Sequence, residues 1–105
     1  MLPHGWPAFI STILRILSNG KTYMYDELLS AIAVEHELTR DQLNLTLVNG
    51  YNVFATRVDH ALGRLVTKKA ILKLGPLRGP VGYQITEYGL GILRQRGKEV
   101  RIKDL

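Results

Sequence analysis

The sequence predicts a mainly helical domain with a small β-hairpin, an α+β fold of the winged helix-turn-helix type. Apolar side chains recur at three- and four-residue spacing in several segments, and the period changes to two between residues 70 and 85. The resulting order is helix, short strand, helix, helix, hairpin, helix. This is the order of elements in a winged helix, and the basic residues are concentrated on the longest helix and the hairpin.

The first half of the chain is predicted to hold two helices and one short strand. Helical spacing of apolar side chains indicates a first helix over about residues 7–18. The aromatic segment of residues 21–25 is long enough for one short strand. Asp26 and Glu27 then place negative charge where it favours the start of a helix, so we expect a second helix that ends near His36.

The middle of the chain is predicted to hold the longest helix, at about residues 53–67. Thr39 and Gln42 have the spacing of a capping box, which favours a short helix over about residues 40–45. Asn52 can cap the long helix. One stripe of the long helix is apolar and is assigned to the core: Phe54, Val58, Ala61, Leu62 and Leu65.

The C-terminal part is predicted to be a hairpin followed by a last helix. Alternating side chains indicate strands at residues 71–74 and 81–85, with a loop rich in glycine and proline at residues 75–80. Thr86 can cap the last helix, and Gly97 is the kind of residue that ends one.

The composition is that of a single folded domain without cysteine. With 105 residues, of which 46% are hydrophobic and 22% charged, the chain fits one domain. We assign this winged-helix domain to residues 1–97 and expect residues 98–105 to be a charged tail or the start of a linker. The lack of cysteine excludes disulfides, thiolate zinc sites and cysteine nucleophiles. We expect no cofactor or metal. The lack of cysteine is compatible with the cytoplasmic location that we expect, and no apolar run is long enough to span a membrane.

Basic side chains are concentrated in the second half of the chain. Residues 1–50 carry three basic and five acidic groups, a net charge of −2, whereas residues 51–105 carry eleven basic and four acidic groups, a net charge of +7. Within residues 51–80, six basic groups accompany one carboxylate, that of Asp59. Charge alone is equally compatible with an ordinary solvated face. The basic side chains cluster on the long helix and the hairpin, however, and this is the electrostatic pattern of a surface that binds phosphates.

The long helix and the hairpin supply the candidate contacts with double-stranded DNA. A major groove about 12 Å wide admits one helix, whose exposed side chains then reach the base edges. The candidates for reading bases are Asn52, Thr56, Arg57 and His60. The candidates for holding phosphates are Arg64, Lys68, Lys69, Lys73 and Arg78. Trp6 is expected to cover an edge of the core.

Several short motifs follow one another over most of the chain: Asn49-Gly50, Val53-Phe54, Arg57-Val58, Ala61, Leu65, Ala70, Leu77-Arg78-Gly79 and Tyr83-Gln84-Ile85-Thr86-Glu87-Tyr88-Gly89. In this combination the chain resembles the N-terminal winged-helix domain of Mrr-type restriction endonucleases. The resemblance implies a DNA-recognition module of a restriction system that acts on modified, typically methylated, DNA. Two positions depart from the family pattern: Asp59-His60 stands where a glycine and an aromatic residue are usual, and Val48 where a proline is usual. Both departures lie in or near the reading helix, so the target preference is not carried over.

No catalytic motif accompanies this module, and we do not expect the chain to be an enzyme. The resemblance implies a separate nuclease domain that holds a divalent metal with an acidic residue and a Glu/Gln-x-Lys element. The nearest candidate here, Glu99 to Lys103, has the wrong interval. The histidines His4, His36 and His60 form no evident triad with serine or aspartate. Besides a module that works with a nuclease domain or partner, two readings stay open. One is a stand-alone transcription regulator that binds DNA as a homodimer, and the other is a winged helix that binds an acidic protein.

Overall fold

The computed structural model describes residues 5–97 and 99–105, which form five α-helices and three β-strands. The helices are α1 (Phe9–Leu17), α2 (Tyr25–Glu35), α3 (Arg40–Leu43), α4 (Val53–Thr67) and α5 (Glu87–Arg96). The strands are β1 (Tyr23–Met24), β2 (Ile71–Leu74) and β3 (Gly82–Ile85), and short 3-10 helices lie at Trp6–Ala8 and Ile102–Asp104. The order of elements is the predicted one. The fold class, mainly helical with a small antiparallel sheet and of the winged-helix type, is confirmed.

Helix α1 lies at the centre of the domain. Its apolar side chains recur at helical spacing over a broad face, and five of them have no solvent exposure: Phe9, Ile10, Ile13, Leu14 and Leu17. Helices α2, α4 and α5 and strand β3 all pack against α1. Full burial of one such side chain contributes about 1.5–3 kcal/mol relative to exposure. Burial of α1 therefore holds the other elements together.

The three strands form one antiparallel sheet in the order β1-β3-β2. Strands β2 and β3 are the predicted hairpin, with Ile71 opposite Ile85. Strand β1 pairs with the other side of β3, where Tyr23 lies opposite Tyr83. The strand predicted before α2 is therefore present but short, because Tyr25 already begins the helix.

The side chains predicted to cap helices do so. The Oγ1 atom of Thr39 accepts a hydrogen bond from the backbone N–H of Gln42 (3.1 Å), and the Gln42 side chain accepts one from the N–H of Thr39 (2.9 Å). The Oγ1 atom of Thr86 accepts a hydrogen bond from the N–H of Gly89 (3.0 Å). These bonds satisfy donors that the first turn of a helix leaves unpaired, which is why α3 and α5 begin where they do.

The segment of residues 99–105, expected to be a tail or linker, packs on the domain. Val100 is 3% exposed. Its backbone N–H donates to the Oγ atom of Ser11 on α1 (2.6 Å), and the Ser11 hydroxyl lies 3.1 Å from the carbonyl oxygen of Val100, to which it donates. Lys98, the first residue of the expected tail, lies outside the described residues, as does His4.

His36 packs at an edge of the core. Its Nε2 atom lies 2.7 Å from the Oγ1 atom of Thr12, which is 2% exposed. Its ring meets the ring of Phe9 edge-on, with 5.0 Å between the centroids. The histidine thus gives a hydrogen-bond partner to a polar group inside the core, where an unpaired hydroxyl is costly. Among the described residues, no group of three His, Cys, Asp or Glu side chains is arranged to hold a metal ion.

The first turn of α5 approaches the backbone of Ala70, which lies between α4 and β2, so closely that only glycine fits at position 89. A Cβ atom at Gly89 would lie 2.2 Å from the carbonyl oxygen of Ala70, whereas a Cβ atom at Gly91 would have no neighbour within 4 Å. We predict that Gly89→Ala lowers the free energy of unfolding by about 1–3 kcal/mol, because backbone must shift. Gly91→Ala, the matched control in the same helix, raises it by up to about 1 kcal/mol. Urea unfolding of both variants checks this, and equal stabilities would contradict the close packing.

Candidate nucleic-acid interface

Helix α4 lies with one side in the core and the other exposed. Its inner stripe is buried as the periodicity predicts: Phe54, Val58, Ala61, Leu62 and Leu65. The exposed positions are Thr56, Asp59, His60, Gly63, Arg64, Thr67 and Lys68. Because the stripe in the core fixes the rotation of the helix, this second set is presented to solvent along the length of α4.

Asn52, expected to read bases, is held by the fold at the start of α4. Its Oδ1 atom accepts a hydrogen bond from the backbone N–H of Ala55 (2.9 Å), and its amide group donates to the carbonyl oxygen of Leu43 (2.6 Å). The first bond caps α4, as predicted, and the second ties α4 to the end of α3. Sequence spacing shows the cap but not the second bond, because Leu43 is brought near only by the turn between the helices.

Thr56 and Arg57 lie on the first turns of α4. Thr56 is exposed, and its hydroxyl donates to the carbonyl oxygen of Asn52 one turn earlier (2.7 Å). This bond uses the hydroxyl proton and leaves the oxygen as an acceptor toward solvent. The side chain of Arg57 is half-buried at the flank of the helix.

Trp6 contacts two of the candidate site residues from outside α4. Its ring stacks on the ring of His60, with 4.4 Å between centroids and 19° between planes. The guanidinium carbon of Arg64 lies 5.8 Å from the centre of the same ring. Trp6 also packs against the core, as expected. Its stacking is a long-range contact that no local spacing indicates, and it restrains both His60 and Arg64.

The two edges of α4 carry different charge. At about 3.6 residues per turn, Arg57, Arg64 and Lys68 fall along one edge of the helix. Asp59 and Gly63 lie on the other edge, which faces the hairpin. The predicted phosphate contacts of α4 are therefore brought together on the side away from the hairpin.

Lys69 has a backbone conformation that glycine usually adopts. Its φ is +63°, its N–H donates to the carbonyl oxygen of Val66, and the N–H of Ala70 donates to that of Leu65 (3.0 Å each). This pair of bonds is the Schellman arrangement that ends a helix, and a lysine there costs about 1 kcal/mol more than glycine. The side chain of Lys69 is consequently held at the exposed end of α4, next to Lys68.

The hairpin carries the remaining two candidates. Lys73 lies on β2 opposite Tyr83 of β3, and Arg78 lies in the exposed loop between the strands. Leu77, beside Arg78, is also fully exposed. The hairpin thus presents its cations on the far side of a groove from α4.

A groove of about 710 Å³ separates α4 from the hairpin and the start of α2. The apolar part of its lining is formed by Met24, Leu62, Val66, Pro80 and Val81. Its polar lining is formed by Tyr25, Asp26, Asp59, Lys73 and Tyr83. The groove combines an apolar surface with hydrogen-bonding groups, which is the usual character of a binding site.

Tyr25 joins the three elements around this groove. Its hydroxyl donates to the Oδ1 atom of Asp59 on α4 (2.5 Å), and its backbone N–H donates to the carbonyl oxygen of Val81 (2.9 Å). Burial, together with the hydrogen bond to Asp59, raises the pKa of Tyr25 well above its ordinary value. Burial also raises the pKa of Tyr83, with a smaller contribution from Asp59. Both hydroxyls therefore stay protonated at physiological pH.

The sequence alone did not single out Tyr25, Asp59 or Trp6 as parts of the site. The signal that was present for Asp59 was its charge, since it is the one carboxylate among the cations of residues 51–80. Neither tyrosine nor tryptophan gives a comparable signal, because each contacts α4 from a distant part of the chain.

No helix in the described part of the chain is long and apolar enough to cross a membrane.

The two hydrogen bonds of Asn52 make it a structural residue whose loss is measurable. We predict that Asn52→Ala lowers the free energy of unfolding by about 1–3 kcal/mol, since it removes the cap and leaves a carbonyl without its donor. Asn44→Ala is the matched control: Asn44 is exposed at the end of α3, and a change there stays within about 0.5 kcal/mol. Thermal or urea unfolding of the two variants compares them. Equal stabilities would show that the bonds of Asn52 contribute nothing.

Comparison with known proteins identifies the family of this domain. The family model of the Mrr N-terminal domain matches residues 6–95, a span that includes α4, the hairpin and the groove between them. No curated protein and no solved structure matches the chain significantly. The matched model describes an N-terminal domain and not a catalytic nuclease domain. The resemblance found in the sequence motifs is thus confirmed, and the chain belongs to the Mrr N-terminal domain family, which is associated with Mrr-type restriction systems.

Proposed function

We propose that this chain binds double-stranded DNA as the target-recognition module of a modification-dependent restriction system, with α4 in the major groove. The observation that carries the proposal is the outer face of α4, an exposed helix surface edged with cations beside a groove and a cationic hairpin. A nuclease domain or partner would then cut the DNA that this module binds. Family membership supports the proposal that recognition and cleavage belong to different domains, since the matched domain is the N-terminal and not the catalytic one.

The shape of α4 supports insertion into a major groove. The helix has 15 residues and is about 22 Å long at about 1.5 Å per residue. Its most exposed ridge carries small or polar side chains at Thr56, Gly63 and Thr67, which let base edges approach. A major groove about 12 Å wide accepts such a helix. In this docking Thr56, with its free acceptor oxygen, and His60 lie where base edges are read.

The basic side chains of α4 and the hairpin support contacts with the DNA phosphate backbone on both sides of α4. Arg64, Lys68 and Lys69 would hold phosphates along the edge and the end of the helix, and Lys73 and Arg78 would do so from the hairpin. Arg57 lies at the flank of the exposed face of α4, where it could contact either a base or a phosphate. Asn52 is proposed to fix the start of α4 and not to contact a base, because both of its polar groups are used by the fold.

The apolar part of the groove supports a preference for modified DNA. A methylated base places a methyl group in the major groove, next to the hydrogen-bonding edge of that base. Val66 on α4 and Val81 on the hairpin offer a partly exposed apolar surface in the groove, on which such a group is removed from water. Burial of one methyl-sized group is worth about 0.8 kcal/mol, or about fourfold in affinity.

Loss of the two arginines at opposite ends of the proposed interface tests DNA binding. Each phosphate contact contributes about 0.9 to the slope of log affinity against log salt. We predict that Arg64→Ala with Arg78→Ala weakens duplex binding and makes this negative slope less steep by about 1.8. The control variant, Arg94→Ala with Arg101→Ala, removes the same charge from α5 and the C-terminal segment and keeps the slope. Fluorescence anisotropy at several salt concentrations measures both. The proposed docking of α4 on DNA is wrong if the two variants reduce the steepness of the salt dependence equally.

Three pools of random-sequence duplexes test the dependence on modification. One pool carries N6-methyladenine, the second carries 5-methylcytosine and the third is unmodified. We predict that the protein binds one of the modified pools about fourfold more tightly than the unmodified pool, the factor given by burial of one methyl group. Filter-binding titrations give the three affinities. Equal affinities would leave DNA binding in place and exclude the dependence on modification.

A further inference from the structure

Asp59 is a carboxylate on the exposed side of α4, and the other charged side chains of that helix, Arg57 and Arg64, are cations. We propose that Asp59 is a specificity-determining residue, which selects cytosine by accepting a hydrogen bond from the N4 amino group of that base in the major groove. The inference rests on the proposed DNA binding through α4 and deepens it. It adds a base-reading residue on the edge of α4 that faces the hairpin.

The position of Asp59 is fixed from a separate element. Its Oδ1 atom accepts the hydroxyl proton of Tyr25 at 2.5 Å. Tyr25 is itself held at the start of α2 by the bond from its backbone N–H to the carbonyl oxygen of Val81 (2.9 Å). The side chain of Asp59 is exposed and borders the groove. One carboxylate oxygen is therefore occupied by the tyrosine, and the other is presented to solvent in a fixed direction.

The negative charge of Asp59 explains why its carboxylate would contact a DNA base and not the phosphate backbone of the DNA. A carboxylate on a surface that binds phosphates is repelled by them, so its presence weakens non-specific binding. Six cations share residues 51–80 with Asp59, but none forms an ion pair with it among the described residues. A hydrogen-bond donor on the DNA itself is the group that would compensate the repulsion.

The chemistry of the base edges singles out cytosine. In the major groove guanine presents two acceptors, and thymine presents an acceptor beside its methyl group. Adenine presents a donor, but its N7 acceptor lies next to it and repels a carboxylate. Cytosine presents its N4 donor with no acceptor beside it on the same base, so it is the base that a carboxylate pairs with best.

The neighbouring turn of α4 leaves room for the base. Gly63 follows Asp59 by one turn on the same edge, and a Cβ atom built there would have no heavy atom within 4 Å. Glycine inside a helix costs up to about 1 kcal/mol relative to alanine. Val66 borders the same edge with partly exposed apolar surface, against which the C5 side of a pyrimidine can lie.

Tyr25 is a positioning residue in this arrangement. Its hydroxyl remains a donor because burial and the hydrogen bond to Asp59 raise its pKa. It also determines what Asp59→Asn would present: the hydroxyl keeps the amide oxygen of the new side chain as its acceptor, and the NH₂ group then points toward the DNA. A donor would replace an acceptor at the same place.

Selection from a random duplex library tests the proposal without a known target. The wild-type chain, Asp59→Asn and Tyr25→Phe each select bound duplexes through several rounds, and sequencing gives the enriched motif. We expect the wild-type motif to contain a position at which cytosine is preferred about tenfold. Asp59→Asn loses this preference in favour of guanine or thymine, which offer acceptors. Tyr25→Phe broadens the preference at that position and leaves the rest of the motif in place.

Asp26→Asn is the matched control, because Asp26 borders the same groove and its removal changes the charge equally. We expect Asp26→Asn to raise the affinity for all duplexes and to keep the preference for cytosine in the selected motif. Circular dichroism and urea unfolding show that each variant is folded. If Asp59→Asn selects the same motif as the wild type, or the wild type shows no cytosine position, the role of Asp59 is refuted while DNA binding stands. If the wild type retains no duplex at low salt, the proposed function itself is refuted.

Discussion

Burial of the apolar face of α1 is the constraint on which the rest of the domain depends. Helices α2, α4 and α5 and strand β3 take their positions by covering that face. Helix α4 covers it with Phe54 and Val58, which must point inward for their surface to leave water. The opposite side of α4 must then point outward. The exposed ridge at Thr56 and Gly63 is therefore a consequence of core packing, and a change that rotates α4 would disturb the core and the candidate interface together.

A second layer of organisation surrounds the outer face of α4. Trp6 restrains its cationic edge through His60 and Arg64, and Tyr25 restrains its other edge through Asp59. Both restraints come from segments that precede α4 in the chain, and both hold side chains without covering them. Polar groups fixed in this way lose little conformational entropy when they meet a ligand. The surface is thus more rigid than its exposure alone suggests.

Local signals in the sequence predicted most of the fold, and long-range contacts account for what they missed. Periodicity and one capping asparagine placed α4 at its observed bounds, since burial and capping act within a few residues of the chain. No local signal indicates that the same asparagine, Asn52, also bonds to Leu43, because that bond depends on the path of a turn. The contacts of Trp6 and Tyr25 with α4 depend on the tertiary fold. For the same reason no pattern indicated that Val100 would pack on α1.

The stacking of Trp6 on His60 has a consequence for spectroscopy. Trp6 is the single tryptophan of the chain, and it lies half-buried between the core and the outer face of α4. In many small domains the tryptophan is enclosed, and its emission reports whether the chain is folded. Here the indole has an imidazole stacked on its face, and the guanidinium carbon of Arg64 lies 5.8 Å from the centre of its ring. Its emission is therefore an optical reporter of the α4 surface, sensitive to a ligand that displaces either group while the core stays intact.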